Sequence, residues 1–170
     1  MERLGFPLVP CRVVGSVYEL RPAALREAGV RVVLADLDNT LISYEQSLPT
    51  PALRAWKEEL EREGIGLFVV SNSRKSRRCP RFCQALGVDY VRHAGKPGGK
   101  GFRTALERAG LTPGQAVMVG DQIFTDVWGA NRAGIYSVLV RPIAIGRNPL
   151  RAVRYWLETP FRLAGERRTP

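Results

Sequence analysis

The chain has 170 residues, 45% hydrophobic and 25% charged, which fits one globular domain able to bury a core. Its longest apolar runs, such as 32–35 and 67–70, fall far short of the ~18 residues of a membrane span, and the opening MERLGF has no apolar signal region, so the expected location is the cytoplasm. The formal charge of +10, with arginine supplying 22 of the 26 basic residues, favours phosphate-rich partners, whether nucleic acid, anionic lipid or anionic metabolite.

Cys11, Cys79 and Cys83 make an odd count with no CxxC pair, so they read as small buried thiols rather than a zinc ribbon or a disulfide framework. After a lead-in over 1–30, the run RVVLAD at 31–36 reads as a buried strand. The segment 50–64 reads as a helix, with Thr50 as N-cap, Pro51 at its first position, Gly64 as its stop and Leu53, Trp56 and Leu60 on its core face. A strand at 66–71 leads through the basic run SRKSRR (73–78) into a helix closed by Gly87, and a shorter strand follows at 88–92. The remaining elements are a helix at 99–110, a strand at 115–121, a short helix at 125–134 and a last strand at 135–142.

Five short apolar strands alternating with four helices predict an α/β fold: a Rossmann-like, three-layer parallel sheet with helices on both faces. The domain is expected over 1–147, with 148–170 as a basic amphipathic tail. In that tail Asn148 caps a helix with Pro149 at its first position and Leu150, Val153, Trp156 and Leu157 on one face. Residues 141–170 hold seven arginines against Glu158 and Glu166, a net +5. Such a helix either packs on its own domain or lies on an anionic membrane.

Ligands of open parallel sheets bind beyond the carboxyl ends of the strands. Asp36, Ser71 and Asp121 each end a predicted strand, and Lys96 follows another, so four polar groups converge on one edge. A surface turn with two solvated aspartates would account for Asp36 and Asp38, yet it leaves the other three residues as coincidence.

The motifs DLDNTL (36–41), VVSN (69–72), KP (96–97) and GDQIFTD (120–126) resemble, in type and order, those of the haloacid dehalogenase superfamily of aspartate-nucleophile phosphotransferases. The resemblance implies Asp36 as the nucleophile and Asp38 as the acid and base two positions on. It implies Mg2+ held by the Asp36 carboxylate, the Asp38 backbone carbonyl and Asp121, with Asp126 supporting them. Ser71, Asn72 and Lys96 would hold the phosphoryl group. Asn39 and Thr40 read equally well as further donors or as a turn that caps the following segment.

Only 32 residues separate Asp38 from Ser71, and 23 separate Asn72 from Lys96, each room for little more than one crossover and none for a cap domain. The lead-in and the tail segment RPIAIGRNPLRAVRYWLE extend the resemblance to the capless phosphatidylglycerophosphate phosphatase family and its bacterial relatives. The expected activity is therefore hydrolysis of a phosphomonoester, on a phosphorylated glycerolipid in peripheral contact with an anionic membrane. The alternatives are the same chemistry on a soluble or macromolecular phosphate, and a basic module that binds RNA or a ribosomal partner. SRKSRR should rim the active edge and could meet phosphate groups there.

Overall fold

The computed structural model describes residues 6–73, 77–144 and 149–167, the backbone alone over 149–152. Arg74, Lys75 and Ser76 of the basic run, Asn148 and the Leu150 side chain lie outside the described residues.

The elements are β1 (Arg12–Val14), α1 (Pro22–Glu27), β2 (Val32–Ala35), α2 (Pro51–Arg62), β3 (Gly66–Ser71), α3 (Arg78–Leu86), β4 (Asp89–Arg92), α4 (Lys100–Ala109), β5 (Ala116–Gly120), α5 (Trp128–Ala133), β6 (Tyr136–Val140) and α6 (Pro149–Glu166). The strands form one sheet in the order β1-β6-β5-β2-β3-β4, every neighbouring pair parallel.

Alternation along the strands explains the layers, because successive side chains leave opposite faces. Val33 and Ala35 of β2 pack with Leu53, Trp56 and Leu60 of α2 and Phe82 and Leu86 of α3. Val32 and Leu34 pack instead with Phe102 and Leu106 of α4 and Ala130 of α5. A strand covered on both faces has no room for polar residues, so β2 is apolar until its end.

Several helix boundaries follow from local chemistry. The Thr50 hydroxyl accepts from the Leu53 amide at 3.2 Å, with Pro51 next in the chain, and Gly87 and Gly110 close α3 and α4 in left-handed conformations that cost glycine little. All three cysteines are buried and free.

The sheet has six strands rather than the five expected. The extra one, β1, comes from the lead-in and pairs with β6; with three residues it is too short to show a period in the sequence. Trp56 ties the lead-in to α2 by donating to the Leu20 carbonyl at 3.1 Å.

A second difference precedes α5. The expected helix at 125–134 opens instead with a π-helical turn over Ile123–Val127, where the Asp126 carboxylate accepts from the Gln122 amide at 3.2 Å. This wide turn keeps Asp126 facing the end of the sheet.

The third concerns α6, which lies against the domain by a face other than its predicted apolar one. Phe161 stacks on Phe6 and meets Phe124 edge-on, with centroids 5.9 and 6.3 Å apart. Gly165 sits so close to Pro10 that a Cβ would fall 2.5 Å from its ring. Arg162, one of the seven arginines of the tail, is buried over the Tyr155 ring at 3.6 Å. Val153, Trp156 and Leu157 of the predicted stripe are exposed.

Candidate active site

The strand order reverses between β2 and β5, which is where an open parallel sheet forms its ligand crevice. Asp36 directly follows β2, its amide still bonded to the Val119 carbonyl at 2.9 Å, and Asp121 directly follows β5. Two like charges therefore stand side by side at the crevice.

Asp126 joins them from the π-helical turn. Carboxylate oxygens of Asp36, Asp121 and Asp126 lie within 4.8 Å of one another, all three residues buried. Lys96 reaches into the group, its ammonium 2.6 Å from Asp36 and 2.7 Å from Asp126. Burial works against the Lys96 charge, but Asp126 and Asp36 outweigh it and hold its pKa above the ordinary value.

One ammonium does not balance three carboxylates. Burial first, then repulsion from Asp36 and Asp126, pushes Asp121 well above the usual carboxylate range. Burial likewise lifts Asp126 to about 6, even with Lys96 pulling the other way. An all-oxygen donor set short of positive charge suits a hard divalent cation such as magnesium.

The approach of Asp126 depends on Gly120 at the end of β5, where any Cβ would overlap the Asp126 carboxylate. Thr40 donates to Asp121 at 3.4 Å, the donor role left open in the sequence. Asn39 adopts a left-handed backbone, φ 66°, and its buried side-chain oxygen has no hydrogen-bond partner among the described residues.

Ser71 ends β3 in the same crevice; its hydroxyl accepts from the Ser73 amide at 3.0 Å, which leaves the hydroxyl proton to donate. Asn72 lines the crevice too, but both its polar atoms are engaged elsewhere than on an open phosphate position. Its amide donates to the Lys96 carbonyl at 2.9 Å and its oxygen accepts from the Lys96 amide at 3.0 Å. Asn72 thus braces the loop that carries Lys96.

Asp38 lies across the crevice mouth, paired at 3.1 Å with Arg78. Arg78 is buried and also donates to the Tyr44 and Ser43 carbonyls at 2.6 and 2.8 Å. The sequence shows it only as one of the SRKSRR charges expected to rim this edge; its pairing with Asp38 is hidden there. The only available hint was a basic residue opening a helix, against the helix dipole.

The turn after β5 is anchored from α6, where the Glu158 carboxylate accepts from the Phe124 amide at 3.1 Å. Burial raises the Glu158 pKa, partly countered by that amide. Arg154, Tyr155 and Glu158 line a cleft with Asn39, Asp121 and Gln122, so α6 forms one wall beside the acidic cluster. Nothing in the periodicity of α6 pointed to this.

A buried acidic cluster with one lysine, at the switch point of a parallel sheet, is a site built for a hard cation and an anionic group. The haloacid dehalogenase-like hydrolase family model matches residues 12–134, and the chain belongs to that family. Within it, the chain is 38% identical over 136 residues to the probable phosphatase YqeG of Bacillus subtilis, covering 80% of this chain and 78% of that one. It is 32% identical over 142 residues to the chloroplastic phosphatidylglycerophosphate phosphatase 1 of Chlamydomonas reinhardtii, covering 76% of this chain but only 51% of that protein, about half its length. The fold is shared with the cobalt-bound deoxy-D-mannose-octulosonate 8-phosphate phosphatase of Haemophilus influenzae, TM-score 0.52 at 15% identity over 82% of this chain and 93% of that one.

Proposed function

We propose that the protein is a magnesium-dependent phosphatase that forms an aspartyl phosphate on Asp36, and that its substrate is a phosphorylated glycerolipid such as phosphatidylglycerophosphate. The observation that carries the phosphatase reading is the buried carboxylate group of Asp36, Asp121 and Asp126 with Lys96 between Asp36 and Asp126.

The Asp36 carboxylate attacks phosphorus, and the bond to the leaving oxygen breaks as the acyl phosphate forms. Asp38 gives its proton to the departing alkoxide, then takes one from the water that attacks the acyl phosphate and frees Asp36. Arg78 holds the Asp38 side chain at the crevice mouth for both steps. Ser71 and Lys96 donate to the phosphoryl oxygens, and Asn72 keeps Lys96 in reach. The Asp36 and Asp121 carboxylates and the Asp38 carbonyl would hold magnesium, with Asp126 supporting; when bound, the cation offsets the carboxylate charge and draws the phosphoryl group toward Asp36.

The lipid substrate is supported by the similarity to the algal phosphatase. A capless design supports it as well, since among the described residues the links between β2, β3 and β4 carry α2 and α3 as their only helices. Such an edge admits a headgroup presented on a surface, and on this reading the enzyme works in peripheral contact with an anionic membrane.

Asp36→Asn should lower magnesium-dependent hydrolysis of an aryl phosphate by about 10^3-fold or more with the fold intact, because an amide cannot form the acyl phosphate. Near-normal turnover of the variant would remove Asp36 as nucleophile. For the substrate, the unmodified enzyme should hydrolyse phosphatidylglycerophosphate in mixed vesicles faster than nucleotide or sugar phosphates in a parallel assay. The reverse ranking would assign it to soluble phosphates.

A further inference from the structure

Helix α6 turns one side to the domain, and among the described residues a second, apolar side stays exposed. Tyr155, Glu158, Phe161, Arg162 and Gly165 turn inward, while Val153, Trp156, Leu157 and Leu163 are 58, 77, 61 and 50% exposed. At 3.6 residues per turn these four fall on one outward stripe, opposite the docked side. A tryptophan left this open beside three aliphatic side chains is an unusual surface for a domain whose other two tryptophans are buried or half-buried.

We propose that this outward face of α6 seats the protein on a bilayer containing anionic phospholipid. The proposal rests on the phosphatase reading only for its purpose; the surface itself is independent of it. Charge selects the occupant. The chain carries +10 overall; within residues 141–170, Arg154, Arg162 and Glu158 belong to the inner side, and the other five arginines stand against Glu166 alone, so the apolar stripe lies in a cationic segment, the pairing that anionic interfaces hold. A second copy fits poorly, because a two-fold contact through α6 would bring two such cationic segments together.

The placement of α6 gives the contact a consequence. Arg154, Tyr155 and Glu158, on the inner side of the helix, line the cleft that contains Asn39 and Asp121. A bilayer against the outer side lies about one helix diameter, ~10 Å, from that cleft. Ile143, 52% exposed, lies between Pro142 and Ala144 of the same cleft wall. An enzyme seated this way opens its crevice beside the headgroups.

The test is co-sedimentation of the whole protein with vesicles of phosphatidylcholine, with and without phosphatidylglycerol. The parent should bind the anionic vesicles and largely ignore the neutral ones. Val153→Ser, Trp156→Ser and Leu157→Ser combined should weaken that binding by about 10-fold or more and leave aryl phosphate turnover unchanged, since none of the three lines the cleft. Quenching of parent fluorescence by brominated lipid, absent in Trp156→Phe, gives a second readout that needs no disruptive variant. Undiminished vesicle binding by the serine variant, or equal binding to neutral vesicles, overturns the proposal. So does a parent dimer that the serine variant dissolves, because the face would then be a contact between copies. Loss of aryl phosphatase activity in the parent would sink the enzymatic reading alone, and vesicle binding would still report on the face.

Discussion

The crevice and the outer side of α6 break the usual partition of residues in opposite ways. At the crevice, acidic groups that water would solvate are buried or half-buried, and each has a polar partner: Asp36 and Asp126 have Lys96, Asp121 has Thr40 and Asp38 has Arg78. On α6, apolar side chains that the core would take are left in solvent. The first arrangement costs stability unless every partner is present; the second costs little to the folded chain, since exposed surface is much the same in both states. The departure that is expensive locally marks chemistry, and the cheap one marks contact.

The contrast can be broken most forcefully at Lys96. Lys96→Ala leaves Asp36 and Asp126 buried without their cation and should destabilise the metal-free protein by about 3–5 kcal/mol in urea unfolding. Magnesium should restore part of that loss, and a stability equal to the parent's would show that the carboxylates find water instead.

Next in size is Arg78→Ala, which removes the ion pair to Asp38 and the hydrogen bonds to the Ser43 and Tyr44 carbonyls. A loss of about 1–3 kcal/mol is expected. In kinetics it should slow alkyl phosphates more than aryl phosphates, because Arg78 acts through the leaving-group acid. Equal slowing of both would reduce Arg78 to a structural tie.

A pH series sharpens the same comparison. The folded pKa of Asp126 is raised to about 6 and that of Asp121 is raised too, so the metal-free fold binds protons more tightly than the unfolded chain. For Asp126, stability is lost as pH rises through about 6, and the raised Asp121 acts in the same direction. Magnesium needs the deprotonated forms, so its affinity should climb through that range and then level off, with protons released on binding. Calorimetry in buffers of different ionisation enthalpy measures this, and pH-independent affinity would exclude the cluster as ligands.

The smallest effect is expected on the other side of the contrast. Trp156→Ser should change unfolding stability by no more than about 0.5 kcal/mol. A large loss in thermal or urea melts would mean that the side chain has an intramolecular partner.

Much of the fold and of the crevice is legible in the sequence. Local chemistry announces itself in sequence: Thr50 and Pro51 start α2, Gly87 and Gly110 stop their helices, and the polar residues after apolar strands mark the crevice. What stayed hidden depends on distance in the chain. The pairing of β1 with β6 joins residues more than 120 positions apart, Arg12 with Val138, and three residues carry no period. Arg78 meets Asp38 only through tertiary folding. Helix α6 shows one apolar stripe to a periodicity argument, whereas the fold docks the helix through aromatic and small residues on another side, which no period marks.

Gly120 turns the position of Asp126 into a property of the main chain. Because the end of β5 and the Asp126 carboxylate share the space a Cβ would fill, no choice of rotamer at 120 could tune the site; the smallest change of residue would push the acidic group out of register with Lys96. Adapting this scaffold to another ester has to leave that corner untouched and work from the far wall, around Pro142 and Tyr155, where the adjustable parts are side chains.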